Sequence, residues 1–457
     1  MKPAADAGRA GDPARATALR LLQEAEGSEA PLEQLFGDLE AGPLGERDRR
    51  FVRQLVIGAV KFRARLDWVV GQFTSRPVAE LEPAARQVLR LGAYQLLFLD
   101  RVPPRAAVHS SVELAKHFGH RGIAGLVNAV LRRVMTEGAG VAYPDRRAEE
   151  AAYLAVYYSH PVWQVERWLA RWGSERTEAL LRANNEPARL YIRLAPASGS
   201  RADLAAQLGL PGTELIADGP QPGTYEILDA GGVFDSPAFH QGWFYVQDAN
   251  AGLPVALLDP QPGERVLDAC SAPGGKAVQA AIAVGPAGRV AAADLSPPRL
   301  RRVADNLRRL RLDNLWLVAE DGARPGLATR CGSPLFDRVL VDAPCSGTGV
   351  YARRPEARWR RGPAGLARHA ELQYRILRQA FARLRPGGVL VYSTCSLEEE
   401  ENDAVVDRLL AEEPAAVLEP AGLRFPGAAW ARRCVQTLPG REPGDGSFAA
   451  RLRKVPA

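Results

Sequence analysis

Cys345, in Asp342-Ala343-Pro344-Cys345, and Cys395, in Ser393-Thr394-Cys395-Ser396, each follow an apolar run that reads as a β-strand. A glycine-rich turn, Asp268-Ala269-Cys270-Ser271-Ala272-Pro273-Gly274-Gly275-Lys276, lies upstream in the same strand–helix series. In an open α/β sheet the carboxyl ends of the strands converge on one crevice, where ligands bind. Two thiols and a nucleotide-type turn in one crevice point to covalent catalysis with a cofactor.

The glycines let backbone pass close to a ligand, and the helix that follows offers free N–H groups. The turn is not a phosphate-binding P-loop: Cys270 stands where the first glycine is needed, and Ala277 replaces the magnesium-binding hydroxyl. Nor does it match G-x-G-x-x-G, which argues against a pyrophosphate cofactor. Asp294 ends the next strand, where a carboxylate either accepts ribose hydroxyls or caps the helix after Pro297. Asp321, with Glu320 as a competitor, follows the third strand and could accept from an adenine amino group. These acids suit an adenosine with a neutral or cationic tail, S-adenosylmethionine (SAM) rather than NAD.

A methylation chemistry gives the thiols work. Carbon 5 of cytosine is a poor nucleophile until a thiolate adds to carbon 6, and the adduct must later lose the C5 proton and expel the thiol. A second thiol nearby could act as base or trigger release, and Asp342 could hydrogen-bond the base edge. The competing reading is two buried structural cysteines. Chemistry alone leaves Cys345 and Cys395 interchangeable as nucleophile.

At 457 residues two or three domains are expected. Residues 1–14 are polar and rich in Ala, Gly and Pro, lack the apolar segment of a secretion signal and read as a disordered tail. No apolar run approaches the ~20 residues needed to span a bilayer, so a cytoplasmic protein without a membrane partner is expected. The five cysteines are odd in number and none forms Cys-x-x-Cys, so free thiols and no metal site are expected. A net charge of +6 and a pI near 9.2 fit a polyanionic partner or simply a GC-rich genome.

Residues 15–137 carry helical apolar spacing, as in Val52, Leu55, Val56, Ala59 and Val60, and read as a helical bundle. Arg47, Arg49, Arg50, Arg53, Lys61, Arg63 and Arg65 stand against a single acid, Asp48, over that stretch. They read as a phosphate-contacting surface or as a solvated helix face. Glu137 to Glu149 reads as a linker. Residues 150–241 form a mixed region, with Trp163, Trp168 and Trp172 on a helix and a strand at Leu190 to Leu194. The tryptophans read as core rather than a base-stacking platform. From residue 242 to 457 strands alternate with helices: Arg265 to Cys270, Arg289 to Asp294, Leu315 to Ala319, Asp337 to Asp342 and Val389 to Ser393 are the candidate strands. Mostly continuous apolar runs of this kind suit parallel strands covered on both faces, giving a doubly wound, Rossmann-like sheet.

The ordered motifs resemble the RNA cytosine-C5 methyltransferases of the Nop/Sun type. They are Phe244 to Asp248, Asp268 to Lys276, Asp294 with Arg299, Asp321, Asp342 to Gly349, Arg353-Arg354-Pro355-Glu356, Leu384 to Gly388, Tyr392 to Ser396, Glu401-Asn402 and Asp445 to Phe448. Upstream, Gly92 to Leu97, Val102-Pro103 and Val127 to Arg133 resemble the NusB-like domain of the bacterial RsmB (Sun/Fmu) subgroup, which methylates one cytosine of 16S rRNA. Ser159-His160-Pro161 with Trp163 is similar to the start of that subgroup's middle segment, and no catalytic role falls to His160.

The resemblance implies a SAM-dependent methyltransferase domain preceded by an all-α NusB-like RNA-binding domain and a small mixed α/β domain. It implies Cys395 as nucleophile, Cys345 in release, Asp342 and Lys276 at the base, and 16S rRNA as substrate of a monomeric enzyme. It implies cofactor contacts from Asp268, Cys270, Ser271, Ala272, Pro273, Gly274, Gly275, Lys276, Asp294, Arg299, Asp321 and Asp342. Same chemistry on tRNA or 23S rRNA, or a non-catalytic ribosome-assembly role, are the alternatives. Lys276-Ala277, Ser447-Phe448 and Glu320-Asp321-Gly322 depart from the usual family pattern, and none touches a thiol.

Overall fold

Helical apolar spacing in the N-terminal part and strand–helix alternation beyond it give two different architectures. The computed structural model describes residues 12–28, 30–196, 198–210, 212, 216–228, 231–324, 335–360 and 362–456. They divide into two compact units, Met1–Glu186 with Tyr351–Arg360, and Pro187–Val350 with Arg361–Ala457.

The first unit is helical. Its helices include Pro13–Gly27, Glu46–Lys61, Pro83–Phe98, Pro104–Phe118, Arg121–Glu137 and Val162–Ala183. Leu19, Val52, Leu55, Val56, Val88, Leu89, Val127 and Leu131 meet in one core. Helices cross closely at Gly58, where a Cβ would lie 1.9 Å from Tyr94 Cζ. Of the expected tail, residues 1–11 lie outside the described residues, while Asp12 to Ala14 belong to the first helix. Asp12 caps it by accepting from Arg15 N at 3.0 Å, and Pro13 suits the first turn. The expected linker is anchored: Trp68 Nε1 donates to Ala142 O at 3.0 Å and Arg65 Nε to Tyr143 OH at 2.8 Å. Composition could not reveal those tertiary partners.

Boundaries at 150 and 241 do not coincide with this division. The helix Val162–Ala183 packs with the first unit, as does the later segment Tyr351–Arg360. Arg358 explains that segment's place: it is fully buried and donates to Lys61 O, Ser159 O, Asn185 Oδ1 and Asn184 O. Of the three tryptophans expected in the core, Trp168 is 1% exposed, while Trp163 and Trp172 are only half-buried.

The basic cluster does not form one exposed face. Arg49 and Arg53 pair with Glu40, and Arg50 with Glu46. Lys61 is buried and donates to Asn185 O and Glu186 O, both at 3.1 Å. Arg63 lies over the Trp359 ring and Arg65 over Tyr157. Glu40 and Glu46, just ahead of the basic stretch, supply counter-charge that the stretch itself lacks.

The second unit holds two sheets. β1 (Leu190–Leu194), β2 (Ile216–Asp218), β3 (Thr224–Ile227) and β4 (Phe244–Val246) form a small antiparallel sheet in the order β2-β3-β1-β4. β4 joins it from beyond residue 241, so the mixed region's sheet is completed by residues assigned from sequence to the catalytic domain. The larger sheet comprises β5 (Arg265–Asp268), β6 (Arg289–Asp294), β7 (Leu315–Ala319), β8 (Phe336–Asp342), β9 (Leu384–Thr394), β10 (Ala416–Glu419), β11 (Val435–Thr437) and β12 (Ser447–Lys454). Its order is β10-β12-β9-β8-β5-β6-β7, with β11 on β12. β5 to β9 pair in parallel, while β12 runs antiparallel between β9 and β10.

Alternate residues of these strands feed two cores. Val266, Leu340, Val389 and Val391 face one, with the helices Gly275–Val284 and Pro297–Leu310. Leu267, Val339, Val341, Leu390 and Tyr392 face the other, with the helices Pro363–Ala382 and Asp403–Glu412. Burial on both faces is why the strand sequences are continuously apolar. Among the described residues no helix is long and apolar enough to cross a membrane.

Candidate active site

Strand order reverses between β5 and β8, and register places Asp268 beside Leu340 and Asp342 beside Ser393. The carboxyl ends of β5, β8 and β9 therefore open into one crevice, the position where such sheets bind ligands. A cavity of about 130 Å³ lies there, lined by Lys276, Asp342, Thr394, Cys395, Asp248 and Asn250 among others.

The two thiols meet in this crevice. Cys345 Sγ and Cys395 Sγ are 3.3 Å apart, within S–H···S reach. The hydrogen bond to Cys395, burial and the nearby Glu401 charge all push the Cys345 thiol well above its ordinary value. Cys270 also lies at the crevice, its thiol pushed up by burial and then by Asp268, Asp342 and Asp294. Cys434 is buried away from it and pushed up to about 12, chiefly by burial. Cys331 lies outside the described residues.

Lys276 stands at the start of the helix after β5 and donates from Nζ to Asp342 Oδ2 at 2.7 Å. Ser393 Oγ donates to the other oxygen of Asp342 at 2.9 Å. Burial works against the Lys276 ammonium, but Asp342, then Cys395 and Asp268, outweigh it and hold its pKa above the ordinary lysine value.

Asp268 is fully buried, and its carboxyl is raised to about 7 by burial first and by Asp342 second. Its Oδ1 accepts from Cys270 N at 3.3 Å, while Oδ2 and the nearby Ser271 Oγ are buried without a hydrogen-bond partner. Unsatisfied buried polar atoms of this kind are uncommon and fit a ligand-binding position. Gly274 takes φ +105°, and a Cβ there would meet Val303 at 2.8 Å, so the turn depends on that glycine. Asp294 accepts from Ala272 N at 3.1 Å and Ser296 N at 2.9 Å, and Arg299 donates to Ala272 O at 2.5 Å. Asp294 thus supports both the turn and the next helix, with lone pairs left for a ligand. Asp321 accepts from Ala323 N at 2.9 Å, while Glu320 is paired with Arg383 at 3.2 Å. That ion pair engages Oε2 of Glu320, the sequence competitor, while its Oε1 is buried without a hydrogen-bond partner. Among the described residues no cluster of His, Cys, Asp or Glu could hold a metal.

Several neighbours had no role from sequence, although their motifs stood out. Asn250 Nδ2 donates to Pro443 O at 2.7 Å and Asp445 O at 2.8 Å, and Asp445 N donates to Asp248 Oδ1 at 3.1 Å. These bonds close the cavity wall between the segment after β4 and the loop before β12. Gly349 lies where a Cβ would be 2.7 Å from Cys395 O and 2.9 Å from Gly446 Cα. His160, in the helical unit, is buried and bonded to Tyr158 O and Asn184, and burial holds its pKa well below the ordinary value. It is a structural residue.

Comparisons with known proteins agree with this architecture. A family model described as 16S rRNA methyltransferase RsmB/F matches residues 255–453, the NusB family matches 12–136, and a ferredoxin-like domain of RsmF/B-like methyltransferases matches 160–220. A probable ribosomal RNA small subunit methyltransferase B of Synechocystis sp. is 36% identical over 91% of this chain and 94% of its own length. The Bacillus subtilis protein of the same description is 34% identical over 82% of this chain and 83% of its own. Among solved structures, PH0851 shares the fold with a TM-score of 0.78 at 24% identity, covering 96% of this chain and 99% of that one. A methyltransferase homologue from Pyrococcus horikoshii gives a TM-score of 0.56 at 27% identity, over 67% of this chain and 99% of its own.

Proposed function

The chain belongs to the RsmB/F family of 16S rRNA methyltransferases, and from that premise we propose that it methylates carbon 5 of one cytosine in 16S rRNA, with SAM as donor and Cys395 as nucleophile. The observation that carries this reading is the pair of sulfurs 3.3 Å apart in the crevice that also holds the Lys276–Asp342 ion pair. Asp268, Ser271, the Gly274–Gly275 turn, Asp294, Arg299 and Asp321 would hold SAM. The unpartnered Asp268 Oδ2 and Ser271 Oγ support that fit. When bound, SAM supplies an electrophilic sulfonium methyl.

In this mechanism the Cys395 thiolate adds to carbon 6 of the target base, and the C5=C6 electrons become available at carbon 5 to take the methyl. Asp342 and Lys276 hold the base edge and balance the charge that develops on the ring. The adduct then loses the C5 proton, the S–C6 bond breaks with its electron pair returning to sulfur, and C5=C6 re-forms. As the S–C6 bond breaks, Cys345 gives its S–H proton to the departing Cys395 sulfur while its own sulfur takes up the C5 proton in the same step; both cysteines end as thiols, and Cys395 releases a proton before the next turnover. The base must be unpaired or flipped out to reach a cavity of this size.

Transfer of labelled methyl from SAM to protein-free 16S rRNA, with the product mapped at nucleotide resolution, tests the reading. A single 5-methylcytosine is expected; label confined to tRNA or 23S rRNA would overturn the substrate assignment.

A further inference from the structure

Glu401, five residues beyond Ser396, is fully buried in the short turn Glu399–Glu401 and sits directly beneath both thiols' loops. Its Oε1 accepts from Ser346 N at 2.8 Å and from Gln373 Nε2 at 3.0 Å. Its Oε2 accepts from the hydroxyls of Ser346 and Ser396. Ser346 follows Cys345 and Ser396 follows Cys395, so one carboxylate ties together the residues next to both sulfurs. Gln373 also donates to Pro344 O at 3.0 Å, the residue before Cys345. The backbone of Glu401 is held in turn, its carbonyl accepting from Tyr392 OH at 2.5 Å. Asn402 adds a second brace, accepting from Thr394 Oγ1 at 2.6 Å and donating to Ser396 O at 2.8 Å.

We propose that Glu401 is a positioning residue: its carboxylate pins the Cys345 and Cys395 loops to one another and so sets the separation and facing of the two sulfurs. This rests on the reading of those thiols as the reacting pair. A buried carboxylate is costly to desolvate, and here it is offset by hydrogen bonds from two loops and a helix. A role confined to stability would need no such convergence on the neighbours of both cysteines. The same negative charge also disfavours ionisation of Cys345, beside the larger influence of Cys395; Tyr392, itself raised first by burial and then by Cys345 and Glu401, faces the same thiol.

Two measurements on the full-length protein test this. Steady-state methyl transfer is compared among the wild type, Glu401→Gln and Ser396→Ala, the latter removing the hydroxyl that ties the Cys395 loop to Glu401 together with its contacts to Ser346, Thr348 and Glu398 N. Alkylation of Cys345 by iodoacetamide is followed against pH in a Cys395→Ser background, with and without Glu401→Gln. The expected result is a fall in kcat of about tenfold or more for Glu401→Gln and a smaller fall for Ser396→Ala. KM values for SAM and RNA should stay within about twofold, and Cys345 alkylation near neutral pH should become several-fold faster because the opposing charge is gone. Unchanged kcat in both variants, or a loss that merely follows thermal unfolding and SAM affinity, would overturn the proposal. If the wild type transfers no methyl to any RNA, the methyltransferase reading fails instead. The alkylation rates then decide the role of Glu401: an unchanged Cys345 profile overturns it and a faster one supports it.

Discussion

Lys276 Nζ and Asp342 Oδ2 meet at 2.7 Å across the carboxyl ends of β5 and β8, joining the cofactor turn to the loop that carries Cys345. The contact crosses the point where strand order reverses, so one ion pair belongs to both halves of the crevice. Lys276→Met and Asp342→Asn should each lower kcat/KM by about a hundredfold or more, because each leaves a partly buried charge without its partner at the reacting base. The double variant should be little worse than either single one. Methyl-transfer kinetics on all three decide it; fully additive losses would separate the two roles.

Asp268 makes stability depend on pH. Its carboxyl is raised from 3.8 to about 7 in the fold, so the folded state binds the proton more tightly than the unfolded chain does. That contribution favours the fold below pH ~4 and is lost as pH rises through about 7, by at most ~4 kcal/mol. Asp268→Asn should therefore raise Tm more at pH 8 than at pH 5 in ligand-free protein. Equal gains at the two pH values would contradict the assignment.

Gly349→Ala places a methyl 2.7 Å from the Cys395 carbonyl, which is backbone and cannot swing aside. A destabilisation of about 1–3 kcal/mol is expected, with a larger proportional loss of methyl transfer as Cys395 is displaced. Denaturant midpoints and kcat, measured together, separate the two effects.

Arg358 in the helical unit satisfies four oxygen acceptors while fully buried, and burial lowers its pKa to about 9. Arg358→Met leaves those acceptors unpaired and should cost about 3 kcal/mol or more. Urea unfolding measures it; a change below about 1 kcal/mol would show that the buried cation is dispensable.

Legibility followed locality. The strands β6 and β7 and the helix Pro297–Leu310 were readable to the residue, because apolar runs or a proline start mark them. The convergence of Cys345, Cys395 and Asp342 followed from strand ends, and that of Lys276 from the glycine turn after β5. The fate of the basic cluster was not readable, since Glu40 reaches Arg53 only through the turn between their helices and Trp359 comes from far along the chain. Nor was the placement of Tyr351–Arg360, which depends on acceptors nearly 300 residues away in Lys61 and Val60. Glu401 stood in a quoted motif, but its role needed the geometry of two loops.

Covalent capture of RNA separates the roles of the two thiols. Purified wild type, Cys395→Ala and Cys345→Ala are incubated with SAM and labelled 16S rRNA, then run on denaturing gels. A protein–RNA adduct should accumulate in Cys345→Ala and be absent from Cys395→Ala. An adduct that survives in Cys395→Ala, or accumulates only there, would contradict Cys395 as nucleophile and Cys345 as the residue of release.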